Sequence, residues 1–188
     1  MGLTEQTIQE IIEACASMSG LPYDGEPVDQ LEHALQCAAI AQERRAEDAE
    51  FIIACLLHDI ARAPAVAGIP YDGPGEHHGQ TAARWLTPRV GERVAWLAAQ
   101  HVPAKRFLVA TDPGYGATLS EVSRRTLRAQ GGAMDAGEIS SFQSARDWRE
   151  AVELRLIDDL GKVPGLRVPE VEHYRPQLSA VVSRTLAR

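Results

Sequence analysis

The sequence predicts an all-α fold built as a single domain. Three observations predict it. Apolar residues recur at spacings of three and four along most of the chain, the period of helices that bury one face. No segment alternates apolar and polar residues as a half-buried strand would. At 188 residues the chain can bury a sizeable core, and no repeat, linker or low-complexity tract divides it.

The elements follow in order. Residues 4–18 read as a helix with Ile8, Ile11, Ile12 and Cys15 on one side and Thr4 as its N-cap. Glycines and prolines from Gly20 to Pro27 mark a loop. Residues 28–45 are helical, with Leu31, Leu35, Ala38 and Ala39 as the apolar stripe and His33 with Cys37 on a neighbouring face. Residues 47–61 form a helix whose run Phe51–Leu57 is apolar throughout and therefore buried. A loop rich in Ala, Pro and Gly spans 63–76. Short helices are expected over 78–86, stopping before Pro88, and over 90–102, continuing from Ala104 to Thr111. A turn at 112–116 leads to helices over 119–129 and 135–142, the first stopped by Gly131-Gly132. Residues 145–160 are helical up to Gly161, and a last helix covers 176–186.

Bulk properties narrow the function. The net charge is −7 and the isoelectric point about 5.4, with no Lys/Arg-rich run. Nucleic acid is therefore not the expected partner. Cys15, Cys37 and Cys55 lack paired spacing and fall in helical patterns, which suits buried thiols in a reducing compartment. The N-terminal residues carry no signal-peptide pattern. The apolar run ending at Leu57 is too short to cross a bilayer. The expectation is a soluble cytoplasmic protein with no membrane partner, a monomer or small homo-oligomer.

The chemistry is concentrated at Leu56-Leu57-His58-Asp59. A carboxylate at the end of a buried apolar run is costly unless it is paired or bound to a metal. Neutral imidazole and carboxylate are ligands shared by iron, zinc and manganese. Further donors lie at His33, at His77-His78, at His101 and at Asp158-Asp159. One such His alone would be a hydrogen-bonded core residue. The ordered set favours a metal site. Arg155, Asp158 and Lys162 share one helical face, whereas Asp159 falls with Val152 and Leu156, so Asp158 is the expected pocket residue.

That order, His, then His-Asp, then further His, then a late Asp, resembles the HD-domain superfamily. The resemblance implies two metals. His33, His58, Asp59 and Asp158 hold one. Asp59 reaches the second, which also takes His78 and His101. His78 is preferred to His77 because the stretch from His78 to Leu86 resembles the family spacing better.

Three stretches narrow the resemblance to the PhnZ-type oxygenases of 1-hydroxyphosphonates. They are Tyr23-Asp24-Gly25-Glu26 with Gln30 to Ala38, His101 to Leu108, and Leu119 to Gly132 with Met134 after it. The resemblance implies a mixed-valence Fe(II)/Fe(III) pair, O2 as co-substrate and a small organophosphonate as substrate. Tyr23 would cap the substrate-binding iron until substrate arrives, and Glu26 would meet the substrate's amino group. Residue chemistry agrees with an anion pocket. Lys105 lies one turn after His101, Ser123, Thr126 and Gln130 recur as a polar stripe, and Arg155 lies one turn before Asp158. Arg62 stands where the family pattern has a further His and is expected to face the site as a phosphonate donor. Tyr23, Glu26 and Lys105 are the candidate catalytic residues. All three, with Arg62, Ser123, Thr126, Gln130 and Arg155, are the candidate substrate contacts. The expected reaction is oxidative cleavage of the C–P bond of a 1-hydroxy-2-(amino or trimethylammonio)ethylphosphonate, giving phosphate and glycine or glycine betaine. The alternative is a metal-dependent HD phosphohydrolase acting on a phosphate ester or nucleotide.

Overall fold

The computed structural model describes residues 2–23, 25–67 and 78–187. Asp24, His77 and most of the expected 63–76 loop lie outside the described residues. Within them the chain is helical, and the only extended pairing is an isolated bridge between Pro22 and Asp29. The main helices are α1 (Leu3–Ala16), α2 (Gln30–Arg44), α3 (Ala49–Leu57), α5 (His78–Ala99), α6 (His101–Thr111), α8 (Glu121–Ala129), α9 (Ala136–Ser144), α10 (Trp148–Leu160) and α11 (Arg175–Leu186). Single-turn helices α4 (Pro64–Ala67) and α7 (Tyr115–Thr118) lie between them.

Helix α3 is the axis of the molecule. Phe51 through Leu57 are fully buried, and α2, α5, α10 and α11 all pack against α3. Burying an aliphatic side chain of this kind contributes about 1.5–3 kcal/mol, so α3 is fixed by its environment on every side. Its start is fixed locally as well. Asp48 caps it by accepting the Phe51 N–H at 3.0 Å. Helix α2 begins with a reciprocal box, in which Asp29 accepts from the Glu32 N–H and Glu32 accepts from the Asp29 N–H. These two caps set the register of the helices that carry His33 and lead to His58.

Of the boundaries that differ from the sequence reading, three have clear physical causes, and two of these shape the site. The helix expected over 47–61 ends at Leu57. His58 is its C-cap, and Asp59 opens a 3-10 turn over Ile60–Arg62. The pair therefore projects from the end of the core helix. Second, His101 starts α6 instead of ending its predecessor. Pro103 has no N–H to donate, and only a first turn accepts that. Third, the break expected at Pro88 falls at Gly91, whose φ of 82° is poorly accessible to other residues. A side chain there would also meet Thr185 Oγ1 on α11 at 3.1 Å.

Cys15, Cys37 and Cys55 are buried free thiols, and burial pushes the Cys15 thiol up to about 12. They act as small apolar groups, as expected. No described helix is long and apolar enough to cross a membrane.

Candidate metal centre

The helix ends converge on one point in the core. His33 comes from α2, His58 and Asp59 from the end of α3, His78 from the start of α5, His101 from the start of α6 and Asp158 from α10. His33 and His58 are fully buried, and Asp59, His101 and Asp158 nearly so.

Backbone carbonyls orient the rings. Nδ1 of His33 meets the Gly161 carbonyl at 2.8 Å, Nδ1 of His58 the Cys55 carbonyl at 2.8 Å, and Nδ1 of His101 the Ala98 carbonyl at 2.7 Å. A carbonyl only accepts, so each Nδ1 carries the proton. In the neutral ring each Nε2 is then a bare lone pair aimed inward. Burial keeps His33 and His101 neutral. It lowers them to about 4 and about 3, against the opposing pull of Asp158 on His33 and of Asp59 on His101.

Nε2 of His33 and Nε2 of His58 face each other at 3.1 Å. Neither nitrogen has a proton to give, so this contact is no hydrogen bond. Nε2 of His78 lies 2.8 Å from Nε2 of His101. The His33–His58 separation has a direct explanation in coordination chemistry. Donors about 2.1 Å from one cation, with angles of 90–110° between them, lie roughly 3.0–3.4 Å apart. The carboxylates complete two such sets. Asp158 Oδ1 is 3.5 Å from His33 Nε2. Asp59 Oδ2 is 3.5 Å from His58 Nε2, while its Oδ1 is 3.5 Å from His78 Nε2 and 3.6 Å from His101 Nε2. Its two oxygens thus face two different histidine groups.

Both carboxylates are held ionised. Burial alone would raise Asp59, but the groups around it, with Arg62 the permanent cation among them, hold it well below the usual carboxylate range. Burial also opposes the charge on Asp158, and Arg155, His58, Lys162 and His33 outweigh it. Arg155 donates to Asp158 Oδ2 at 2.6 Å, leaving Oδ1 toward His33. Asp159 points elsewhere, accepting from Tyr115 and from Arg155. The donor set, its spacing and its protonation therefore fit two adjacent divalent or trivalent cations. Asp59, His78 and His101 form one group able to hold an ion, and His33, His58 and Cys37 have donor atoms equally close. Burial holds the Cys37 thiol protonated, with Asp158 adding to the effect. Asp158 is the better donor of the two on that side.

A cavity of about 50 Å³ opens beside the cluster, room for a small oxyanion. Lys105 Nζ donates to Thr126 Oγ1 at 3.0 Å on one wall. Burial, with Arg155 nearby, lowers Lys105 to about 8. Ser123 and Gln130 share that wall, and Gln130 Oε1 is buried without a hydrogen-bond partner among the described residues. The Tyr23 ring, which also lines the cavity, stacks on His33 with centroids 4.1 Å apart. Its hydroxyl donates to Asp158 Oδ1 at 3.2 Å. Burial, Asp158 and Asp59 keep that phenol protonated. Glu26 accepts from Ser120 Oγ at 2.6 Å and from Lys162 Nζ at 3.4 Å.

No family model matches the chain. Curated relatives do. The chain is 34% identical over 164 residues to the [1-hydroxy-2-(trimethylamino)ethyl]phosphonate dioxygenase (glycine-betaine-forming) of Leisingera caerulea, covering 86% of this chain and 83% of that protein. It is 35% identical over 175 residues to the hydroxymethylphosphonate dioxygenase of Gimesia maris, covering 88% and 84%. An uncharacterized protein of Acanthamoeba polyphaga mimivirus is 32% identical over 174 residues, covering 90% and 79%. The chain belongs to the PhnZ-type hydroxyphosphonate oxygenases. It is an oxygenase, and its His and Asp groups suit a metal-dependent one that uses O2.

The structure brings the candidate residues together. Tyr23, Glu26, Arg62, Lys105, Ser123, Thr126, Gln130 and Arg155 all line the one cavity, together with Asp59, His78, His101 and Asp158. His33 and His58 lie directly behind it. Arg155 is there in a different posture from the one expected. Its guanidinium is turned to Asp158, Asp159 and Tyr115, so it holds the acidic end of α10 in place. Lys162 also lines the cavity and was not singled out from the sequence. The signal for it was its shared face with Asp158, which the sequence reading used only to choose between two aspartates. Tyr115 was missed because a lone Tyr in a turn carries no pattern.

Proposed function

We propose that this protein is a diiron oxygenase that cleaves the C–P bond of a 1-hydroxyphosphonate with O2. The observation that carries the reading is the pair of unprotonated Nε2 atoms held 3.1 Å apart in the core, beside a cavity walled by Lys105 and Ser123. His33, His58, Asp59 and Asp158 would hold one iron, and Asp59, His78 and His101 the other, in a mixed-valence Fe(II)/Fe(III) pair. Bound iron supplies Lewis acidity toward the substrate oxygens and the activation of O2.

The chain's own residues do the rest. Lys105, with the hydroxyls of Ser123 and Thr126, takes the phosphonate oxygens as charged and neutral donors. Arg62 adds a permanent cation on the Asp59 side. Gln130 supplies a buried amide. Together they fix the phosphonate so that C1–H and the C1 hydroxyl face the histidine cluster, and fixed orientation removes much of the entropic barrier. Tyr23 lies over His33 and Asp158, so substrate must displace its hydroxyl. Glu26 is the carboxylate available to an ammonium on C2. Substrate plus O2 gives a carboxylic acid plus phosphate, one oxygen atom entering each, with no other reductant. With a 2-amino substrate the acid is glycine, and with a trimethylammonio substrate it is glycine betaine. The relatives named for the trimethylamino substrate and for hydroxymethylphosphonate support the class.

The test is phosphate release from (R)-1-hydroxy-2-aminoethylphosphonate, its trimethylammonio analogue and hydroxymethylphosphonate, by iron-loaded protein with and without oxygen. Release only with oxygen is expected. Release without oxygen, or hydrolysis of phosphate esters in its place, would return the chain to metal-dependent phosphohydrolase chemistry.

A further inference from the structure

Lys162 sits where two parts of the pocket meet. Its Nζ lies 3.4 Å from Glu26 Oε1 and 3.4 Å from Ser123 Oγ. It also stands 5.6 Å from the centroid of the Tyr23 ring. Both partners of the ion pair are nearly sequestered, with side-chain exposures of 13% and 12%. Glu26 is therefore not an idle carboxylate waiting for an ammonium. It already has a cation, and a hydroxyl from Ser120. Ser123, on the other side of Lys162, belongs to the wall that faces the oxyanion.

The contact is also long. Charge-assisted N–H···O bonds have an optimum near 2.7–2.9 Å, and Lys162 is stretched between two acceptors at 3.4 Å. A phosphonate arriving beside Ser123 offers the ammonium group a closer and more highly charged partner than Glu26 does.

We propose that Lys162 is a specificity-determining residue that exchanges partners on substrate binding, leaving Glu26 for the phosphonate and so making Glu26 available to a cation on the substrate. The inference rests on the hydroxyphosphonate reading above and deepens it. A substrate with an ammonium on C2 replaces the cation that Glu26 loses. A substrate without one leaves Glu26 charged, poorly solvated and unpaired, which is costly. Selectivity for cationic hydroxyphosphonates then comes from the ion pair that the substrate breaks. Contacts to the ammonium alone do not account for it.

The exchange predicts different effects on two substrates. In Glu26→Gln no charge is stranded, and Lys162 is released to the phosphonate in advance. Hydroxymethylphosphonate should bind several-fold more tightly than to wild type. The 2-amino substrate gains the same release but loses its carboxylate partner, so its preference over hydroxymethylphosphonate should fall by about tenfold, the size of one lost charge contact. In Lys162→Met both substrates lose the same phosphonate contact and are spared the same broken ion pair. The preference for the 2-amino substrate over hydroxymethylphosphonate should therefore stay within about twofold of the wild-type value.

The experiment is calorimetric titration of iron-loaded wild type, Glu26→Gln and Lys162→Met with both phosphonates under argon, together with KM and kcat in air. Tighter hydroxymethylphosphonate binding and a lost preference in Glu26→Gln, with an unchanged preference in Lys162→Met, establish the exchange. Equal weakening of both substrates in Glu26→Gln, or a raised preference for the 2-amino substrate in Lys162→Met, overturns it and leaves Lys162 a fixed partner of Glu26. Should Lys162→Met fail to fold, the sign of the hydroxymethylphosphonate shift in Glu26→Gln decides alone. Wild type that neither binds nor cleaves any hydroxyphosphonate overturns the functional reading itself, and the inference with it.

Discussion

Gly161→Ala is a one-atom test of how the cluster is aimed. Gly161 follows α10 with an ordinary φ of −76°, so backbone conformation does not demand glycine there. Space does. A Cβ at this position would lie 2.6 Å from Cys37 Sγ and 3.3 Å from His33 Nδ1. Ordinary contact distances are near 3.5–4.0 Å, so about 1 Å of overlap must be relieved. Cys37 is buried, with its sulfur already 3.8 Å from His33 Nε2 and 3.9 Å from the Ile157 carbonyl, so it has little room to yield. Instead the loop moves and the Gly161 carbonyl leaves His33 Nδ1, breaking the 2.8 Å bond that sets the ring's tautomer. Overpacking of this size costs about 1–3 kcal/mol. Losing the orienting partner of a metal-binding His costs about 10–100-fold in metal affinity. The expected outcome is a protein less stable by about 2 kcal/mol in urea and tens of times weaker for iron in a chelator competition. Cys37→Ala in the same chain removes the colliding sulfur, so the double variant should recover part of both losses, with a coupling of about 0.5–3 kcal/mol. Full iron affinity and unchanged stability in Gly161→Ala would refute the reasoning. So would strict additivity of the two changes.

Three further outcomes follow from the same geometry. Asp59→Ala should abolish iron binding, because each of its oxygens faces a different histidine group; retention of two irons per chain by elemental analysis would sink the ligand scheme. Lys105→Ala should raise KM for a phosphonate by about 10–100-fold with a small change in kcat, and wild-type KM should climb above pH 8 as this lysine, near 8 in the pocket, loses its proton; equal KM in variant and wild type would remove Lys105 from the pocket. The metal-free protein should lose stability steadily as the pH falls from about 6.5 toward 4. Unfolded imidazoles bind protons from about 6.5 downward, whereas His33 and His101 resist until about 4 and about 3, so the unfolded state binds more protons throughout that window. Each buried ring accounts for a loss on the order of 3 kcal/mol, and Asp59 adds to the loss below about pH 4. Urea midpoints at pH 7.5, 6 and 5 check this, and a flat or rising series would contradict it.

Much of this site was legible because each donor sits at a helix end, and helix ends have chemical signatures. An unbroken apolar run from Phe51 to Leu57 can only be buried, so the His-Asp pair that ends it had to meet something in the core. The polar stripe Ser123, Thr126 and Gln130 had to face something polar, and it faces the cavity. What sequence periodicity could not show is where a helix stops when no Gly or Pro stops it. Asp59 was expected within a helix that in fact ends at Leu57, because nothing in Leu57-His58-Asp59-Ile60 breaks helical spacing. The stop is made in local geometry that apolar spacing does not encode. The His58 ring turns its Nδ1 to the Cys55 carbonyl, and Asp59 departs from helical backbone with a ψ of 16°.

The residues that reading missed share a physical reason. Lys162, Tyr115 and Gly161 act through contacts far apart in sequence, as in the Lys162–Glu26 pair and the Arg155–Tyr115 bond. Periodicity sees only neighbours within two turns. Gly161 reads as a helix stop, and it is one, but its second duty appears only when α2 is laid against it. The same residue ends α10, gives its carbonyl to His33 and leaves room for Cys37. Replacing it therefore tests fold and site together. That is why the paired Cys37→Ala change is needed to assign the loss to the collision and not to a weaker helix end.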